Sequence, residues 1–139
     1  METLFLNIPE TQSQEVVDFI LQVTPRPRVI TFTGDLGAGK TSLIKKLFAS
    51  LGSTDTVTSP TFGLLNDYGL PNGEKVHHTD WYRIKHTSEL LDAGMDELID
   101  EAYLMIVEWP EIGESLLPNN CMRVEIEHIS EGRNYSITY

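Results

Sequence analysis

Arg28-Val29-Ile30-Thr31-Phe32-Thr33-Gly34-Asp35-Leu36-Gly37-Ala38-Gly39-Lys40-Thr41 is the stretch that decides the fold. Its first six residues are rich in β-branched and aromatic side chains and read as a buried strand. Gly34 to Thr41 then fits G-x-x-x-x-G-K-[ST] without a gap. From Thr41 to Leu51 the residues Leu43, Ile44, Leu47 and Phe48 recur at helical spacing, and Gly52 supplies a stop. Strand, glycine-rich turn and helix in this order make a phosphate cradle. Glycines let consecutive N–H groups turn inward around phosphate oxygens, and the helix start adds the positive end of its dipole. Lys40 is placed to bridge β- and γ-phosphates, and the Thr41 hydroxyl to coordinate Mg²⁺. Asp35, Leu36, Gly37, Ala38, Gly39 and, just beyond, Ser42 complete the expected nucleotide contacts.

Outward from this core, the chain alternates strands and helices. Residues 2–8 read as a strand, and Val16, Val17, Ile20 and Val23 mark an amphipathic helix over 11–23, broken by Thr24-Pro25-Arg26-Pro27. The turn signal Leu70-Pro71-Asn72-Gly73 predicts a hairpin of 62–69 with 75–80. Residues 88–100 read as one or two short acidic helices interrupted at Gly94. Tyr103 to Val107 is a continuous apolar run, the pattern of a strand covered on both faces. Residues 122–129 alternate and pair with 135–139 across Gly132. The expected fold is α/β: a P-loop NTPase fold with a mainly parallel central sheet, helices on both faces and an antiparallel C-terminal hairpin. At 139 residues the chain is expected to be one P-loop domain spanning 1–139.

A phosphate-binding loop needs acids at neighbouring strand tips to hold the metal and its waters. Glu108 ends the apolar run and Asp80 ends the strand starting near Lys75. Both are candidates for metal binding and hydrolysis; the competing reading for each is an exposed strand-end carboxylate. Thr58-Ser59-Pro60-Thr61-Phe62 follows the loop's helix. Its hydroxyls either sense the γ-phosphate, as switch loops do, or simply cap turns.

Composition excludes several classes. Cys121 is the single cysteine, so neither an intrachain disulfide nor a multi-cysteine metal site is available, and the four histidines lack metal-site spacing. No apolar run reaches the 18 or so residues of a membrane span, and the N-terminus lacks a charged-then-apolar leader pattern, so a cytoplasmic location without membrane attachment is expected. Net charge is −11, and nearly all of it lies beyond residue 86, where Arg123 and Arg133 face 12 acids. Such a half repels phosphate backbones, which argues against free-standing nucleic-acid binding. It reads either as a solvated acidic face or as a docking surface for a basic partner.

Taken together, Gly-Asp-Leu-Gly-Ala-Gly-Lys-Thr at 34–41, Ser-Pro-Thr-Phe at 59–62, His-Thr-Asp-Trp-Tyr-Arg at 78–83 and Glu-Trp-Pro-Glu at 108–111 resemble the TsaE (YjeE) family of bacterial tRNA threonylcarbamoyladenosine biosynthesis ATPases. The resemblance runs from the first strand to Gly132-Arg133. It implies an ATP- and Mg²⁺-dependent hydrolase, slow alone and activated by a threonylcarbamoyl transferase heterodimer of the TsaB–TsaD type. Contact with tRNA would then come only through the complex. By matching position, the resemblance assigns Lys40 to the phosphates, Thr41 to Mg²⁺, and Asp80 and Glu108 to the metal and hydrolysis. It sets Ser59 and Thr61 in the switch-like loop and Trp109 beside the nucleotide. Where the family carries a base-holding threonine near the start of the first helix, this chain has Gln14, with Thr11 nearby.

Three rival functions fit less well. A small-molecule or nucleotide kinase needs an arginine-bearing lid, and the chain beyond residue 86 has only two arginines and no spare insertion. A GTPase needs an Asn-Lys-x-Asp or Thr-Lys-x-Asp sequence, which is absent. A chain that binds ATP only as a structural ligand would not need two strand-end acids. Arg83 reads as an internal arginine finger or, more simply, as a structural arginine. Trp81 and Tyr82 are expected to pack at the hairpin end.

Overall fold

The computed structural model describes residues 1–23, 28–35, 39–57, 60 and 64–139. The helix break at 24–27, the loop residues Leu36, Gly37 and Ala38, and Thr58, Ser59 and Thr61 to Gly63, including the start of the expected hairpin, lie outside the described residues.

In chain order the elements are β1 (Glu2–Ile8), α1 (Gln14–Val23), β2 (Val29–Thr33), α2 (Lys40–Ser50), β3 (Leu65–Gly69), β4 (Lys75–Asp80), α3 (Thr87–Asp92), α4 (Met95–Glu101), β5 (Leu104–Glu108), β6 (Met122–Ile129) and β7 (Gly132–Thr138). The strands form one sheet in the order β1-β7-β6-β2-β5-β4-β3. Its centre is parallel, with β2 between β6 and β5 and β4 beside β5. Both margins are antiparallel: β3 pairs with β4, and β7 joins β6 to β1. This is the α/β architecture expected from the alternating pattern, with the C-terminal hairpin at one margin.

The central strands are apolar on both sides because both sides are covered. Ile30, Phe32, Leu104 and Ile106 pack on one face with Val16 and Ile20 of α1 and Leu43 and Leu47 of α2. Val29, Met105 and Val107 point the other way, to Leu90 of α3, Met95 and Ile99 of α4, and Trp81. The period-2 alternation of each strand thus feeds two cores.

Boundaries depart from the sequence reading in three places. Pro9 starts a 3-10 turn at Glu10–Gln12, closed by the Gln12 N–H donating to the Pro9 carbonyl at 2.8 Å, so α1 begins only at Gln14. Tyr103 precedes β5 instead of opening it. The last strand starts at Gly132, paired with Ile129, so the reversal is made by Ser130 and Glu131 alone. Gly132 is needed there for close approach, since a β-carbon would lie 2.7 Å from the Ile8 carbonyl oxygen.

Candidate active site

Parallel pairing brings three strand ends side by side. Phe32 of β2 lies opposite Glu108 of β5, and Glu108 lies opposite Asp80 of β4. One residue past β2 the chain enters the glycine-rich loop, and that loop delivers Lys40 as the first residue of α2. Gly39, the residue before it, has φ +98°, a left-handed conformation that glycine adopts without strain. The sequence-predicted Lys40, Asp80 and Glu108 therefore converge at the carboxyl ends of the parallel strands, where α/β sheets bind ligands.

Lys40 is 6% exposed. Its ammonium donates to the Gly34 carbonyl and sits 3.9 Å from the centroid of the Trp109 ring, a cation–π contact. Burial holds the ammonium below the usual lysine range, while Glu108, Asp80, Glu111 and Asp35 pull it back up. A bound polyphosphate would bring the opposite charge directly to it. Trp109 takes a positive φ of 54° immediately after β5, which aims its ring over the lysine. Tyr82 also meets that ring, tilted by 51° at 4.8 Å between centroids. Trp109 thus stands over Lys40. Tyr82 does not pack at a hairpin end: it is 56% exposed and belongs to this aromatic rim, whereas Trp81 is buried, its indole N–H donating to Thr79 Oγ1 at 3.0 Å.

The two acids differ. Asp80 is half-buried and accepts the Tyr82 N–H at 2.8 Å. Burial pushes its carboxyl above the usual range, and the charge of Glu108 adds to that, against the lowering effects of the Tyr82 hydrogen bond, His78 and Lys40. Glu108 is 2% exposed, and its Oε2 lies 2.8 Å from Nε2 of His78. The described residues contain no cluster of three or more His, Cys, Asp or Glu arranged as a metal cage. One hydroxyl (Thr41) and two carboxylates fit a cation that keeps waters and shares phosphate oxygens, as Mg²⁺ does, better than a zinc or calcium cage.

Other expected contacts divide. Asp35 is exposed at the loop entrance. Ser42 gives its hydroxyl to Glu10 Oε1 at 2.7 Å, so its side chain serves the loop's helix. Gln14 spends its amide on Asp18 at 3.0 Å and Ser50 at 2.9 Å, tying α1 to α2. Arg83 is exposed. Leu36, Gly37, Ala38, Ser59 and Thr61 are outside the described residues.

Three features went unread in the sequence. His78 is entirely buried against Glu108. Arg133 of β7 reaches across so that a β-carbon on Gly39 would meet its Nε at 2.6 Å, placing a guanidinium at the loop's end. Glu10 organises that corner: it pairs with Arg133 and with Lys46 at 3.4 Å, and accepts from Ser42, whose hydrogen bond is the main reason its carboxyl is held below the usual range. Arg133 carried a signal, being one of only two cations beyond residue 86.

A glycine-rich strand-to-helix loop of G-x-x-x-x-G-K-T form on a parallel α/β sheet, with acids on the next two strand ends, defines the P-loop class of nucleotide-binding folds. Comparison with known proteins narrows it. A family model described as threonylcarbamoyl adenosine biosynthesis protein TsaE matches residues 9–135. The tRNA threonylcarbamoyladenosine biosynthesis protein TsaE of Haemophilus influenzae is 29% identical over 143 residues, covering 99% of this chain and 90% of that protein. Its Bacillus subtilis counterpart is 37% identical over 106 residues, covering 74% and 63%. The crystal structure of Bacillus subtilis YdiB superposes with a TM-score of 0.71 at 23% identity, over 99% of this chain and 83% of that one, and shares the fold. The chain belongs to the TsaE family.

Proposed function

We propose that this chain is the Mg²⁺-dependent ATP-hydrolysing subunit of the machinery that makes tRNA threonylcarbamoyladenosine. Family membership assigns it to that biosynthesis. The observation that carries the hydrolytic reading is the register placing Asp80 and Glu108 on adjacent strand ends, both acting on the charge of Lys40. The loop amides and Lys40 bind the β- and γ-phosphates, and Arg133 adds positive charge at the loop's end. Thr41, Asp80 and Glu108 would hold Mg²⁺, directly or through water, and the ion supplies charge neutralisation across the phosphates. Glu108, buried and oriented, is placed to position the attacking water, which adds to the γ-phosphorus in line as the β–γ bridging oxygen leaves with ADP. Trp109 and Tyr82 form the rim that limits water at the site.

Turnover by the chain alone is slow in this reading. A threonylcarbamoyl transferase heterodimer of the TsaB–TsaD type is the partner proposed to complete the site, with the hydroxyl-rich segment 56–62, including Ser59 and Thr61, as the element it engages. Twelve acids beyond residue 86 fit contact with tRNA through those partners only. No described helix is long and apolar enough to cross a membrane; the proposed setting is the cytoplasm, and the proposed organisation one ATPase domain over 1–139.

The site assignment is tested by calorimetric titration with MgATP. Lys40→Ala is expected to weaken binding at least about tenfold, the equivalent of about 1.4 kcal/mol. Asp80→Asn and Glu108→Gln should keep binding within a few-fold and lose hydrolysis. Wild-type affinity in Lys40→Ala would overturn the assignment.

A further inference from the structure

We infer that His78 is a positioning residue for Glu108, setting the plane in which that carboxylate meets the reacting centre. The inference rests on the hydrolytic reading of the site and adds a residue to it. His78 lies on β4 two residues before Asp80, and strand alternation puts His78, Asp80 and Glu108 on the same face of the sheet. The imidazole is wholly buried. Phe48 meets it edge-on at 5.8 Å and Tyr68 lies 6.2 Å away, so the ring is confined by two aromatic neighbours from α2 and β3.

Nε2 is 2.8 Å from Glu108 Oε2, and Nδ1 is buried with no hydrogen-bond partner among the described residues. A carboxylate oxygen accepts, so the 2.8 Å contact puts a hydrogen on Nε2, donating to Oε2. A carboxylate held at one oxygen by a donor that cannot swing is fixed in plane, and the group it presents to the site is fixed with it. Outer partners of this kind orient ligands and bases, and removing them typically costs roughly 10- to 100-fold in function. A packing role alone would have been met by an apolar side chain in this aromatic pocket; the polar ring is explained by the carboxylate it touches.

The test compares His78→Phe, which keeps a ring without a donor, with His78→Gln, whose amide N–H reaches about as far as Nε2–H. Steady-state phosphate release, MgATP affinity and thermal midpoint are measured for both. For His78→Phe the expected result is a kcat lower by about 10- to 100-fold with KM and affinity within about threefold. His78→Gln should recover at least about tenfold of that loss. Equal losses in Phe and Gln would overturn the inference. A readout independent of hydrolysis is the ring ¹⁵N spectrum of the nucleotide-free wild-type chain, expected to show His78 as the Nε2–H tautomer with a slowly exchanging proton. An Nδ1–H tautomer would overturn the inference even if His78→Phe fails to fold. If the wild-type chain hydrolyses no ATP under any condition, the hydrolytic reading falls; the spectrum then decides separately whether His78 holds Glu108.

Discussion

Gly39→Ala perturbs the site at its tightest backbone position. Gly39 has φ +98°, and a side chain in the left-handed region costs about 1–2 kcal/mol. The new β-carbon would also lie 2.6 Å from Arg133 Nε and 2.9 Å from its Cζ, so the guanidinium must leave and its pairing with Glu10 is lost. An ion pair that is partly exposed on the carboxylate side contributes about 0.5–1 kcal/mol. The two effects sum to about 1.5–3 kcal/mol. A chain of 139 residues has an unfolding entropy of about 0.3 kcal/mol/K near 60 °C, so the midpoint should fall by about 5–10 °C. The assay is urea and thermal denaturation in a double-mutant cycle with Arg133→Ala. In that background the steric part disappears, leaving a coupling of about 0.5–1 kcal/mol. An additive cycle, or a Gly39→Ala chain melting with the wild type, would refute the placement of Arg133 on the loop.

Other consequences follow from the same geometry. Asp80 is held above the usual carboxylate range in the fold, so the folded chain binds its proton more tightly than the unfolded one. That cost is absent below the unfolded pKa and is complete once pH passes the folded one. Asp80→Asn should therefore raise the melting temperature at pH 7, lose that advantage in acid, and abolish hydrolysis; an unchanged difference across pH would contradict it. Gly113→Ala has no backbone strain at φ −110°, but its β-carbon would lie 2.5 Å from Trp81 and 2.7 Å from Leu90, both buried. Overpacking there should cost about 1–3 kcal/mol in urea denaturation, and a neutral substitution would refute the packing. MgATP should draw Lys40 from beneath Trp109 and change tryptophan emission; the response should vanish in Trp109→Phe, because Trp81 is sealed in the core.

Much of this was legible in the sequence because it is local. The strand, loop and helix around Gly34 to Thr41 follow from β-branching, glycines and a 3.6 period; Glu108 follows from an apolar run that ends in charge, and Asp80 from its place at the end of the hairpin's second strand. What stayed hidden depends on pairing between distant segments. Sequence does not say that β1 closes onto β7, and so it does not show that Arg133 arrives at Gly39 or that Glu10 holds it. His78 reads as one more strand residue until parallel register sets β4 against β5 and its ring against Glu108. Ser42 reads as a nucleotide contact by position, and Gln14 only as the residue in place of a base-holding threonine; their observed partners Glu10 and Ser50 lie 32 and 36 residues away.

The most direct test of the central claim is phosphate release from ATP and Mg²⁺ by the purified chain, repeated with the threonylcarbamoyl transferase pair added. A slow basal rate that rises clearly with the pair, and is lost in Lys40→Ala, is the predicted result. Hydrolysis indifferent to the pair, with no complex formed, would contradict it.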